Sequence, residues 1–121
     1  MSVVNNWFLF YLFLCFVLIT LISCGDGEIR ERDSFFVKGN AKLNTGEYKE
    51  ALRYYNEAIK MDSTFADAYN NRGVAYAEDG KYGRAVIDYT QAINLKEDFA
   101  DAYYNRANAY LQLQRYEKSL L

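Results

Sequence analysis

The 121-residue sequence has no histidine and no proline, and its two cysteines, Cys15 and Cys24, both lie near the N-terminus. Without histidine the chain lacks the commonest general base and the commonest metal ligand. With no cysteine beyond residue 24, a disulfide framework in the remainder is excluded. Lys and Arg number 14 against 16 Asp and Glu, so a net charge of -2 offers nothing to attract nucleic acid. There is also no glycine-rich phosphate loop of the required spacing. Carboxylates such as Glu57, Glu78 and Asp88 read as scattered along solvated helix faces, with no paired-acid arrangement. The sequence therefore points away from an enzyme, a metal site or a cofactor.

Charge is absent in a second sense. The first 25 residues contain no Asp, Glu, Lys or Arg, and every charged side chain follows from Asp26 onward. Residues 7–22, WFLFYLFLCFVLITLI, are apolar apart from Thr20. As a helix this run would extend about 24 Å, short of a hydrocarbon core of roughly 30 Å. It suits the core of a signal peptide, residues 1–23, better than a permanent span, although an uncleaved N-terminal anchor is the competing reading.

Residues 21–24, Leu-Ile-Ser-Cys, follow at once. This placement resembles the lipobox of bacterial lipoproteins, in which a signal peptidase cuts before the cysteine and its thiol carries a diacylglycerol. The resemblance implies lipidation at Cys24 and attachment to a membrane of a bacterial cell envelope. The n-region, MSVVNN, departs from the pattern because it has no Lys or Arg. Residues 25–31, GDGEIRE, read as a polar tether reaching at most about 25 Å.

From residue 32 onward the sequence repeats itself. FADAYNNRG at residues 65–73 returns as FADAYYNRA at 99–107, and one step of 34 relates Gly39, Gly73 and Ala107. The same step relates Ala41, Ala75 and Ala109, and also Tyr48, Tyr82 and Tyr116. A fixed step of this size signals a stacked repeat array. Each unit reads as two helices. Ala68, Tyr69, Arg72, Ala75 and Tyr76 share the face of a first helix, which Gly80 ends; Ala85, Tyr89, Ala92 and Ile93 mark a second. Asp67 and Asp101 read as caps for free backbone N–H groups. Small residues alternate with tyrosines, so most of the 12 tyrosines read as packing.

This pattern resembles the tetratricopeptide repeat, over units 32–65, 66–99 and an incomplete 100–121. The resemblance implies an all-α fold of about two and a half helix-turn-helix repeats stacked as an α-solenoid, here preceded by the apolar N-terminal signal or anchor helix. Lys42 replaces an aromatic, Gln114 the turn glycine and Ser119 a helix-B alanine. The resemblance also implies a right-handed superhelix whose first helices line a concave groove for a protein or peptide partner. At matching positions stand Phe36, Asn40, Leu43 and Asn44, then Asn70, Val74, Ala77 and Glu78, then Tyr104, Asn108, Leu111 and Gln112. Asparagine donates and accepts toward a peptide backbone, and Phe36, Tyr104 and Leu111 supply apolar anchors.

Chaperone-binding members of this family clamp a C-terminal carboxylate with two Lys, one Arg and two Asn. Asn40 and Asn71 match the asparagines, but Phe36, Asp101 and Asn105 occupy the basic positions. An unpaired carboxylate there would be desolvated without compensation, so the expected partner is neutral, apolar or basic rather than acidic. After Tyr116 only EKSLL remains, too little for a complete second helix. The chain reads as a fragment of a longer protein, in preference to one whose open C-terminal end is covered by self-association or by a partner. The functional expectation is a membrane-tethered adaptor or assembly factor, with a glycan- or nutrient-binding envelope lipoprotein as the alternative.

Overall fold

The computed structural model describes residues 6–119, apart from the side chains of residues 19–26 and 28. Five helices run in order: α1 (Asn6–Asn44), α2 (Tyr48–Met61), α3 (Ala66–Glu78), α4 (Tyr82–Leu95) and α5 (Ala100–Ser119). No strand occurs among the described residues. The chain divides into two compact units, Met1–Glu31 and Arg32–Leu121.

In the first unit, large apolar side chains from Trp7 to Leu18 are exposed around the helix. Among the described residues no helix is long and apolar enough to cross a membrane. Residues 25–31, expected as a tether, are helical, because α1 continues through them without a break. The lipidation expected at Cys24 falls on a side chain outside the described residues.

The second unit is an α-solenoid of antiparallel helical hairpins. Within each hairpin the two helices meet through a tyrosine laid on a glycine. A Cβ built on Gly39 would lie 2.6 Å from a Tyr55 ring carbon, and one on Gly73 would lie 2.6 Å from a Tyr89 ring carbon. No side chain larger than hydrogen fits either place without a shift of ring or backbone. Ala51, Tyr55 and Ala75 form one core cluster, while Ala85, Tyr89 and Ala109 form another, so each second helix also meets the first helix of the next unit. Ala66, Ala92, Ile93, Phe99 and Ala102 close the junction between the second and third units.

The hairpin turns are set by two glycines in the left-handed region, Gly46 at φ 76° and Gly80 at φ 75°. At the second turn Lys81 N–H donates to the Tyr76 carbonyl at 2.8 Å and Gly80 N–H to that of Ala77 at 3.0 Å. The first turn repeats this pair with Glu47 to Lys42 and Gly46 to Leu43. This double closure satisfies carbonyls the ended helix leaves open. Gln114 stands where the third glycine would be. There the helix does not stop, and α5 runs on to Ser119.

Two other expectations are corrected. Phe65, not Asp67, occupies the N-cap of α3, with no side-chain capping bond, so Asp67 acts only as an acidic residue in the first turn. Asp101 likewise sits inside the first turn of α5. Asp88 does not lie on a solvated face: it is 4% exposed. Arg72 donates to it from Nε and from Nη2, both at 2.7 Å, and a third bond from Nη1 reaches Asn56 at 2.8 Å. Burial alone would lower the Arg72 pKa, but the Asp88 hydrogen bonds and charge outweigh it and raise the value. Breaking so enclosed a pair by removing one partner costs about 3–5 kcal/mol, whereas the exposed Arg53–Glu50 pair is screened by solvent and contributes little.

Burial pushes the phenols of both packing tyrosines, Tyr55 and Tyr89, up to about 12; the charges of Glu78 and Asp88 add to the effect at Tyr89. In the unfolded chain a tyrosine ionises near 10. The unfolded state therefore loses these protons first, and stability falls as pH rises through that window. Denaturant unfolding should show stability level up to about pH 9, then a loss of about 2–3 kcal/mol per tyrosine between about pH 10 and 12. Tyr89→Phe should remove roughly half of that drop; an unchanged pH profile in this variant would contradict the assignment.

Candidate peptide-docking groove

The inner helices of the second unit are residues 32–44 of α1, then α3, then α5. Each carries asparagine, and the carboxamides join across all three. Asn105 Nδ2 donates to Asn70 Oδ1 at 3.1 Å, and Asn70 Nδ2 donates to Asn71 Oδ1 at 3.1 Å. Asn71 Nδ2 in turn donates to Asn40 Oδ1 at 2.9 Å, and that oxygen also accepts from the Tyr55 hydroxyl at 2.7 Å. The ladder has a direction. Every link points its N–H toward Asn40, so that among the described residues Asn105 Oδ1 at one end and Asn40 Nδ2 at the other have no partner.

The twelve residues expected to line the groove take three different situations. Asn70 is 6% exposed and acts as a rung, presenting almost no surface. Phe36, Leu43, Val74 and Ala77 are half-buried and pack against the core clusters. Phe36 sits with ring centroids 6.0 Å from Tyr55 and 4.8 Å from Phe65. Asn40 and Gln112 are half-buried, whereas Asn44, Glu78, Tyr104, Asn108 and Leu111 are exposed. The apolar surface is therefore concentrated on α5, where Tyr104 is 70% and Leu111 57% exposed. Spacings of four and three place Tyr104, Asn108 and Leu111 on one face of that helix.

Asn71 and Asn105 complete the ladder but are missing from the groove set read in the sequence. The available signal was their shared register, 34 residues apart, with Val37 in the first unit. The charges beside the ladder are acidic: Glu78 and Asp101 are exposed and have no ion-pair partner among the described residues. Of the cations on the inner helices, Arg72 is engaged with Asp88 and Lys42 with Glu47.

Replacing Asn71 by alanine should leave the Asn70 amide, buried beside it, without an acceptor and cost about 1–3 kcal/mol. The shift in denaturation midpoint measures this. Asn108→Ala, at an exposed position, should change stability by less than about 0.5 kcal/mol. Equal effects of the two substitutions would mean that the ladder contributes nothing.

The TPR repeat family model matches residues 39–80 and 75–114. No curated protein sequence matches the chain. Among solved structures, the TPR domain of Arabidopsis OM64 is 30% identical with a TM-score of 0.71, covering 74% of each chain. The first TPR of Spaghetti (RPAP3), bound to the HSP90 peptide SRMEEVD, is 28% identical with a TM-score of 0.69, covering 73% of this chain and 70% of its own. The TPR2B domain of yeast Sti1, in its pHsp70 complex, is 25% identical with a TM-score of 0.69, covering 75% and 73%. With glycine-seated tyrosines in two successive hairpins and a family model spanning most of the second unit, the chain belongs to the tetratricopeptide repeat family.

Proposed function

We propose that this chain is a non-enzymatic docking module that binds an extended peptide segment of a partner protein along its inner helices. The observation that carries the reading is the asparagine ladder from Asn40 to Asn105 beside exposed Tyr104 and Leu111. A peptide backbone offers alternating donors and acceptors, which the free ends of the ladder complement. Tyr104 and Leu111 offer the apolar anchors that dominate affinity in such contacts. Support comes from the Spaghetti and Sti1 domains, solved with the HSP90 peptide SRMEEVD and in a pHsp70 complex respectively.

The partner differs in chemistry from SRMEEVD. Phe36, Asp101 and Asn105 stand where a carboxylate clamp needs cations, and Glu78 adds a negative charge nearby. An acidic terminus would be desolvated against like charge, so neutral, apolar or basic segments are preferred. In peptide display on the full chain, selected sequences should be apolar with neutral or basic flanks. Their affinity should fall about tenfold in Tyr104→Ala and Leu111→Ala, with stability unchanged to about 0.5 kcal/mol. Tight binding of SRMEEVD, or affinities indifferent to both substitutions, would refute this groove.

The module works at a membrane of a bacterial cell envelope, held by acyl chains on Cys24. This rests on the Leu-Ile-Ser-Cys placement and on the helix from Trp7 to Leu18, apolar around its circumference, which water does not favour. Two or more acyl chains anchor stably where one binds marginally, and tethering raises the local concentration of the groove beside its partner. Expressed in a bacterium with labelled fatty acid, the wild-type chain should take up label and Cys24→Ala should not. Equal labelling of the two would overturn the lipid anchor.

A further inference from the structure

The two ends of the asparagine ladder differ, and one side chain sets the acceptor end. In α3, Asn70 Nδ2 donates to Asn71 Oδ1, so that oxygen is filled. One repeat later Tyr104 stands in the place of Asn70, brings no amide, and leaves Asn105 Oδ1 without a partner among the described residues. Asn105 itself is half-buried and held on the α3 side of α5, since its Nδ2 donates to Asn70. Its oxygen is therefore an acceptor at a fixed place, with the donor missing.

Asp101 lies one turn before this oxygen, and a spacing of four puts the two on one face of α5. The step of 34 places an aspartate at the same point of all three inner helices, Asp33, Asp67 and Asp101, but their surroundings differ. Asp33 is paired with Arg32 at 2.7 Å, and Val37 follows it where the other units have asparagine. Asp67 is exposed, yet the Asn71 oxygen one turn on is already filled. Asp101 is exposed as Asp67 is, and combines an unpaired carboxylate with an open amide oxygen. Of the two cations five residues away, Lys96 lies over the Phe99 ring at 4.8 Å and Arg106 reaches Thr90 at 3.2 Å. The half charge at the start of α5 reduces the negative potential of Asp101 without cancelling it.

We infer that Asp101 and Asn105 form a lysine site within the groove: Nζ of a partner lysine donates to the Asp101 carboxylate and to Asn105 Oδ1. A backbone carbonyl of the same segment accepts from Asn40 Nδ2 at the other end of the ladder. This rests on the peptide-docking reading above and names a residue that the peptide carries. Two acceptors on separate side chains a turn apart converge on a point. That suits an ammonium, a compact charge with three rotatable donors, better than a guanidinium, whose planar fork matches both oxygens of one carboxylate. One turn beyond the Asn70 rung, Val74 packs against the cluster that holds Ala109, so apolar surface adjoins the ladder and can carry the alkyl stem of the lysine.

Peptides selected by display on the full chain, synthesised with both termini blocked, test the site by titration in detergent. Each lysine is also made as Nε-acetyl-lysine and as arginine. Acetylating one particular lysine should weaken binding about tenfold or more, with arginine in between. In Asp101→Asn the lysine and acetyl-lysine forms should bind within about twofold of each other. Asp101→Glu should keep part of the discrimination, and Asp67→Asn should discriminate as the wild type does. Each variant is compared with itself on two peptides, so a change in its stability does not hide the result. Peptides that bind without a lysine, or a discrimination that survives Asp101→Asn, would overturn the lysine site and leave the groove standing. A requirement for a free N-terminus in place of a lysine would overturn it as well, assigning the two acceptors to a terminal amine. If no peptide binds, groove and site fall together.

Discussion

A tyrosine ring resting on a glycine holds each helical hairpin of the second unit closed. Tyr55 fills the space above Gly39 and Tyr89 the space above Gly73, each within a distance that even a methyl group would violate. The contact brings two backbones together over a buried aromatic surface worth roughly 1.5–3 kcal/mol per ring. It also fixes rotation about the helix axes, because the ring has only one place to go. Alanines at 51, 58, 75, 85, 92 and 109 then let successive hairpins nest. The groove is a consequence of this nesting, since it sets the first helices side by side with their asparagines in reach.

Polar groups at the helix contacts are satisfied in a way that serves the same end. Asp88 is taken inside by the Arg72 fork, and no buried side-chain polar atom among the described residues lacks a partner. The asparagine ladder does for the inner face what the tyrosines do for the hairpins: it ties the three units at fixed offsets and leaves donor and acceptor capacity unspent at its two ends. For the proposed peptide partner, a groove built this way is organised in advance, so less conformational entropy would be lost on binding.

Much of this was legible in the sequence because the repeat step is rigid. Gly39 and Gly73 mark places of close approach and Tyr55 and Tyr89 read as packing, though which ring meets which glycine comes from the structure, and Gly80 marks a turn that the structure places at φ 75°. What the sequence hid were matters of neighbourhood. Asp88 looks like any surface carboxylate until α3 brings Arg72 beside it from 16 residues away. Asn70 looks like a contact residue until burial and two amide bonds make it a rung, and Asn71 and Asn105 enter the site only through it. The continuation of α5 past Gln114 follows from a missing glycine, a signal visible beforehand but read as a weakened turn. The helical state of residues 25–31 ran against their polar, glycine-containing composition.

Nuclear Overhauser contacts offer the most direct examination of the hairpin geometry on which the groove depends. In the folded chain the ring protons of Tyr55 should show cross-peaks to the Gly39 α-protons, and those of Tyr89 to the Gly73 α-protons, with both glycines shifted by the ring currents. Matching cross-peaks in both hairpins are the predicted result. Absence of either, or a Tyr89 ring in contact with solvent-exposed residues instead, would contradict the account.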